Sequence, residues 1–379
     1  MKHERLPIPF HSPTRVAEEL QLVSRVLSGE TPGGHFNKQC DEFFRARLGV
    51  PYATMTPSCT HALELSALAL DIQAGDEVIV PAFTFTSTAN AFLLRGARLV
   101  FADIQPDTLN IAPAELKRLI TPRTRAIVVM HYAGIACDMS AIMQIADAAG
   151  IPVVEDAAHA LFGTYKGQEL GTIGAMGTFS FQYTKNFSCD EGGLFVTKNT
   201  DLAEIAEVVR EKGTNRSQFL RGLLHKYEWV REGSSYIMAD TLAAQLFAQL
   251  GRADEIQEKR RLIFERYQAG LADWALDQGA KRPTVPDDCG PAWHLYYLVM
   301  PSEASRDRFL THLRSQGIGA AFHYIALHLT PMGRSLGGKP GDLPVTEQMA
   351  ASLVRVPFYT DLSESDQMRV IDAVRSFNG

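Results

Sequence analysis

Apolar residues follow two rhythms along this chain. Between residues 50 and 200, short apolar runs recur at 76–81, 99–103, 125–130, 151–154 and 177–181, each leading into small or polar residues. Stretches with helical spacing lie between them, clearest at 142–149. Strands that are apolar throughout, alternating with helices, predict an α/β fold with a mainly parallel sheet covered on both faces. Ligands of such sheets bind beyond the carboxyl ends of the strands, so the loops after Pro81, Met130, Val154 and Phe181 are expected to share one rim.

Outside that region the period changes. Val16, Leu20, Val23 and Leu27 predict a helix stopped at Ser28-Gly29, and Phe43, Phe44 and Leu48 predict a second. An amphipathic helix is expected over 201–212, a polar and basic loop over 212–222, and largely helical chain over 239–278. The charged stretch 252–261 marks a boundary, giving a large lobe at 1–251 and a smaller α/β lobe at 252–379. The smaller lobe is expected to contain a strand at 294–300, a helix at 302–316, a strand at 318–322, a Gly/Pro-rich loop at 333–344 and a closing helix at 363–377.

Composition narrows the function classes. A net charge of −6 over 379 residues gives no support for nucleic-acid binding. Cys40, Cys59, Cys137, Cys189 and Cys289 are scattered with no CxxC pair, so neither a metal site nor a disulfide framework is expected. The first residues lack the apolar core of a signal peptide and no run reaches transmembrane length. A reducing, cytoplasmic location without a membrane partner is the expectation.

The stretch 151–193 carries the most chemistry. One apolar run ends at Glu155-Asp156; another is followed by Lys185 and then Gly192-Gly193. A carboxylate at one strand end and a lysine beyond another are what pyridoxal phosphate requires. The lysine holds the aldehyde as a Schiff base, and the carboxylate keeps the pyridine nitrogen protonated. Each group has a plainer reading. Asp156 serves equally as an N-cap for the residues after it, and Lys185 as a surface lysine. The Ser58-Cys59-Thr60 helix start is either an anion site or an ordinary cap. Phe85 is either core or a stacking platform, Ser180 binds backbone or a phosphate, and His159 is a cofactor contact or a satisfied surface histidine.

The order of these motifs is specific. PSCT at 57–60, PAFTFTSTANA at 81–91, HYAG at 131–134, EDAAH at 155–159 and GTFSFQYTKN at 177–186 together resemble the DegT-type sugar aminotransferases over nearly the whole chain. That resemblance implies a fold-type-I pyridoxal-phosphate transferase working on nucleotide-linked keto-sugars. Lys185 would carry the cofactor and Asp156 would pair with its ring nitrogen. Phe85 and His159 would contact the ring, and Cys59, Thr60 and Ser180 would bind the phosphate. Ser235 stands where relatives place a phosphate ligand from the other subunit, which implies a homodimer with shared sites. Segments 211–222, 233–240 and 322–328 are most similar to the branch that moves an amino group from L-glutamate to C4 of a dTDP-4-keto-6-deoxyhexose. They make Lys212, Arg216 and Arg221 candidates for substrate anions, and His323, Tyr324 and His328 candidates for the hexose pocket. A cofactor-binding regulator without turnover, and amination at C3 or of another nucleotide sugar, are the alternatives.

Overall fold

The main sheet is built from strands whose side chains are for the most part shielded from solvent. In the computed structural model, which describes residues 6–379, these are β1 (Tyr52–Thr56), β2 (Glu77–Pro81), β3 (Arg98–Ala102), β4 (Thr124–Met130) and β5 (Val153–Asp156). A two-residue hairpin, β6 (Thr164–Tyr165) and β7 (Gln168–Glu169), precedes β8 (Met176–Ser180) and β9 (Gly193–Thr197). Seven of them form one sheet in the order β1-β9-β8-β5-β4-β2-β3. Pairs β2/β3, β2/β4, β4/β5 and β5/β8 are parallel, while β9 runs antiparallel to both of its neighbours.

Alternation along the strands divides their side chains between two cores. Ile79, Ile127, Val129 and Val153 face one way and pack with Phe36 and Phe44 of helix α2 (His35–Leu48). Val78, Val80, Val128 and Val154 face the other way and pack with Leu63 of helix α3 (Cys59–Ala69) and Phe92 of helix α4 (Thr86–Leu93). Burial on both faces is why these strands read as unbroken apolar runs.

A third core lies towards the C-terminus. There β10 (Cys289–Gly290) joins the small hairpin, and β11 (Tyr297–Val299) pairs antiparallel with β12 (Leu353–Arg355). Helices Ala253–Gly270, Glu303–Ser315 and Glu364–Arg375 close over Tyr296, Leu298 and Val354. Ile8, near the start of the chain, is buried in this core and bridges Ile318.

Several expected elements differ. Residues 318–322 form no strand; they make isolated bridges at Ile318 and Ala321. A Cβ at Gly319 would lie 2.5 Å from the backbone nitrogen of Phe10, so the chain here is shaped by close backbone approach, not by a ladder. The strand expected at 294–300 shortens to 297–299, because the buried Arg260 guanidinium takes the carbonyls of Trp293 at 2.9 Å and His294 at 2.6 Å. The loop at 212–222 contains a helix, Arg216–Leu220, and the loop at 333–344 begins inside helix Pro331–Ser335. Among the described residues no helix is long and apolar enough to cross a membrane.

Candidate active site

Parallel strands put their carboxyl ends on one edge, and several polar side chains gather there. Asp156 is the last residue of β5 and Ser180 the last of β8. Both line a cavity of about 410 Å³, together with Lys185, His159, Phe85, Cys59, Thr60, His323 and Tyr324. Nine of the fourteen residues singled out from the sequence therefore meet in one place.

The Asp156 carboxylate is held at both oxygens. Oδ2 accepts from the Thr88 hydroxyl at 2.6 Å, and Oδ1 accepts from the backbone N–H of Ala158 at 3.1 Å. The second bond is the turn-capping contact considered as the plainer reading; no helix follows it, and the carboxylate also lines the cavity. Burial raises its pKa, opposed by those two bonds and by the charge of Lys185.

Lys185 follows β8 in a tight turn, its N–H donating to the Gln182 carbonyl at 2.8 Å. The next residue fixes that turn against the C-terminal part of the chain. Asn186 donates to the Ala292 carbonyl at 2.7 Å, and its amide oxygen lies 2.9 Å from Nδ1 of His294. Burial lowers the Lys185 pKa to about 8, against the raising influence of Cys59 and Asp156. The amine is thus partly neutral near physiological pH, which a nucleophilic lysine needs.

At the opposite end, Ser58 caps α3 by accepting from the His61 N–H at 3.2 Å. The Cys59 and Thr60 side chains follow, and the Thr60 and Ser87 hydroxyls lie 2.8 Å apart. Hydroxyls gathered at the start of an eleven-residue helix suit an anion. Burial raises the Cys59 thiol pKa, so it stays protonated. Phe85 is no core residue: it is 58% exposed, at the entrance.

His159 stacks on His294 with ring centroids 4.1 Å apart, and its Nε2 is 3.5 Å from the Tyr324 hydroxyl. Its Nδ1 is buried without a hydrogen-bond partner in the chain. Burial, with the charge of Lys185 nearby, lowers the pKa values of His159, His294 and His323 well below normal, so all three rings are neutral. Behind the wall, the Tyr132 hydroxyl lies 3.0 Å from His323 Nδ1.

Five candidates are not in this cavity. His328 is 1% exposed and its Nε2 is hydrogen-bonded to Glu347 at 3.0 Å, outside this wall. Arg221 is committed to Glu207 (2.8 Å through Nη2), and Arg216 lies 3.6 Å from Glu211. Lys212 and Ser235 sit on the same outward segment, where Ser235 bridges Glu211. In the other direction, Thr88, His294, Asn186 and Arg355 belong to the site and were not expected there. Thr88 had a readable signal, since its hydroxyl lies four residues after Thr84 at a helix start, and the two meet at 2.8 Å.

Comparison with known proteins decides the class. The profile of the DegT/DnrJ/EryC1/StrS aminotransferase family matches residues 13–375. The chain belongs to that family. It is 37% identical over 377 residues to the spore coat polysaccharide biosynthesis protein SpsC of Bacillus subtilis, covering 97% of this chain and 96% of that one. The aminotransferase TlmJ of Streptoalloteichus hindustanus superposes with a TM-score of 0.88 at 32% identity, covering 97% and 98% of the two chains. Spr1654 of Streptococcus pneumoniae, solved in PLP and PMP forms, gives a TM-score of 0.90 at 26% and 27% identity; each match covers 98% of this chain, and 98% and 97% of the respective Spr1654 chains. The enzyme is a fold-type-I, pyridoxal-phosphate-dependent sugar aminotransferase.

The residues present fit that cofactor. Asp156 is a buried carboxylate with no cationic partner at ion-pair distance among the described residues, and a protonated ring nitrogen would supply one. His159, whose Nδ1 has no hydrogen-bond partner in the chain, the hydroxyl of Thr60 and the exposed ring of Phe85 line the same space.

The depressed pKa of Lys185 has a direct consequence for loading. Only the neutral amine attacks an aldehyde, so loading of cofactor-free enzyme should accelerate about tenfold per pH unit below about 8 and level off above it. Stopped-flow absorbance after mixing with pyridoxal phosphate measures this. A rate still climbing at pH 10, as for an ordinary lysine, contradicts the buried position.

Proposed function

We propose that the enzyme transfers the amino group of L-glutamate to C4 of a dTDP-4-keto-6-deoxyhexose. The product is dTDP-4-amino-4,6-dideoxygalactose or its gluco epimer, made for a cell-surface polysaccharide. One observation carries the reading: a partly buried lysine and a buried, hydrogen-bonded aspartate line the same cavity at the carboxyl edge of a parallel sheet. The similarity to a polysaccharide biosynthesis protein over the full length supports the sugar class. The likeness of segments 211–222, 233–240 and 322–328 to C4-aminating relatives supports the position.

When bound, pyridoxal phosphate supplies the electron sink that lets a C–H bond beside nitrogen break. Lys185 would anchor the aldehyde and, once released, would serve as the base and acid that moves a proton at the donor α-carbon and at the sugar C4 carbon. Asp156, fixed by Thr88 and the Ala158 N–H, would hold the ring nitrogen in its protonated form. Cys59, Thr60 and Ser180 would hold the phosphate, and Phe85 would stack on the ring. The neutral His159 and His323 and the Tyr324 phenol hydrogen-bond without adding charge, which suits sugar hydroxyls.

The outward segment with Lys212, Arg216, Arg221 and Ser235 also exposes Leu220, Leu223, Trp229 and Val230. Such a patch is a subunit-contact surface by its chemistry. We assign it to a homodimer in which this segment serves the partner's cavity, with lobes at 1–251 and 252–379 flanking the site.

The test is incubation with L-glutamate and dTDP-4-keto-6-deoxyglucose. The expected outcome is stoichiometric 2-oxoglutarate and a sugar whose NMR spectrum places the amine at C4. An amine at C3 contradicts the position. No 2-oxoglutarate from glutamate contradicts the donor, and the reading of a regulator without turnover would replace it only if no amino acid is consumed.

A further inference from the structure

A second cavity lies outside the active site. It has a volume of about 470 Å³ and opens between Pro106-Asp107, in the loop after β3, and the segment from Ala280 to Thr284. Helix Ala253–Gly270 adds Gln268 to its wall, and β11 adds Tyr297 and Val299. Alternation places them there. Tyr296 and Leu298 turn into the C-terminal core, so Tyr297 and Val299 point the other way, towards the core of the large sheet. Lys281 runs alongside, exchanging backbone hydrogen bonds with Val299 at 2.8 and 2.9 Å.

The polar groups of this wall lack partners of their own kind. Tyr297 is 1% exposed, and its hydroxyl is buried without a hydrogen-bond partner. Burial, the Tyr132 phenol and the charge of Asp107 hold its pKa well above the usual tyrosine range, so it is a donor. Lys281 and Arg282 form no ion pair among the described residues. Arg282 is oriented by donating through Nη1 to Gln268 Oε1 at 2.9 Å, a neutral partner that leaves its charge uncompensated. Asp107 accepts from the Thr108 N–H at 2.8 Å and pairs with neither cation. Two cations facing one carboxylate give a net positive wall, and an unpaired buried hydroxyl is costly unless a ligand meets it. Ala272, Ala275 and Leu276 complete the wall with apolar surface.

We propose that this cavity is a second ligand site, which takes a sugar phosphate and influences the active site. Lys281 and Arg282 receive the phosphate, Tyr297 donates to the ligand, and Asp107 accepts from sugar hydroxyls. Inorganic phosphate shares the charge but offers Asp107 no hydroxylated body, so the two must be measured side by side. The route to the active site is short. The Tyr297 and Tyr132 ring centroids are 5.6 Å apart, and the Tyr132 hydroxyl contacts His323, which lines the catalytic cavity. The influence on catalysis rests on the substrates proposed above; the binding does not.

The experiment is isothermal titration of the pyridoxal-phosphate-loaded enzyme, in which the cofactor fills its own phosphate site. The probes are glucose 1-phosphate, inorganic phosphate and glucose; the proteins are wild type, Lys281→Ala, Tyr297→Phe and Asp107→Ala. Wild type is expected to bind one glucose 1-phosphate per chain, about tenfold more tightly than inorganic phosphate, and to ignore glucose. Lys281→Ala should weaken this binding about 10- to 100-fold and Tyr297→Phe about fivefold. Asp107→Ala should narrow the preference for the ester over inorganic phosphate. Tyr297→Phe removes only an unpartnered hydroxyl, so the thermal midpoint without ligand should hold. A sharp fall there would mean that the hydroxyl already has a partner and would overturn the proposal. Saturating glucose 1-phosphate should change the single-turnover rate with L-glutamate or with the keto-sugar about fivefold in wild type, and neither rate in Lys281→Ala at the same concentration. Without the ester, the variants should match wild type within about threefold. No binding, or equal binding in Lys281→Ala and Tyr297→Phe, would overturn the site. Binding that leaves both rates unchanged would overturn its influence on catalysis. A wild type unresponsive to glutamate would instead contradict the donor assignment, while the titrations still decide the site.

Discussion

Replacing Lys185 by alanine is expected to abolish turnover and the long-wavelength absorbance of the loaded enzyme together. The two losses have one cause. The amine lies in the cavity at a depressed pKa, so it is both the attachment point for the aldehyde and the base nearest the reacting carbons. Loss of a positioned acid–base group alone costs about 10²–10⁴-fold. Removal of the covalent anchor adds to this by freeing the cofactor. The fold should survive: the turn around residue 185 is held by the backbone bond to Gln182 and by Asn186, not by the amine. Unchanged near-ultraviolet circular dichroism with a colourless, inactive protein is the expected pair of observations. Retained turnover in Lys185→Ala would mean that another amine does the chemistry.

Asp156→Asn should separate catalysis from stability. The amide keeps both positions filled, so the Thr88 and Ala158 contacts lose little, yet it cannot hold a proton on the ring nitrogen. Removing an electrostatic partner from a water-poor site costs about 10²–10³-fold in kcat. Cofactor affinity should weaken by roughly tenfold or more, as a charge-assisted bond becomes a neutral one. In the cofactor-free protein the change removes a carboxylate whose ionisation burial disfavours. Its thermal midpoint should therefore hold or rise, while the increase on adding pyridoxal phosphate shrinks. Kinetics and scanning calorimetry on the same preparation check both. A sharply destabilised cofactor-free variant would show that Asp156 is chiefly a structural cap.

The sheet was legible because its strands are apolar on both faces, and runs such as 125–130 and 151–154 have few other readings. Asp156 and Lys185 were legible for the same reason: each follows such a run, and strand ends in a parallel sheet share an edge. Residues whose role depends on a distant partner were not. Arg216 and Arg221 look like free cations until Glu211 and Glu207 are seen beside them. His328 shares a motif with His323 and Tyr324, yet Glu347 draws it away from the cavity. Residues 318–322 form a short apolar run like a strand's, but close backbone approach to Phe10 leaves only isolated bridges. Arg355 is the instructive omission. Ser180 attracted notice as the polar member of an apolar strand, and Arg355 is the charged member of another. Both leave their strands to line the same cavity.

The central claim is that two side chains far apart in sequence hold opposite ends of one ring. A crystal structure of the enzyme loaded with pyridoxal phosphate tests it most directly. The expected result is continuous density from Lys185 Nζ to the aldehyde carbon, with an Asp156 oxygen about 2.7–2.9 Å from the pyridine nitrogen. Density joining the cofactor to a different lysine, or a ring nitrogen facing away from Asp156, would contradict it.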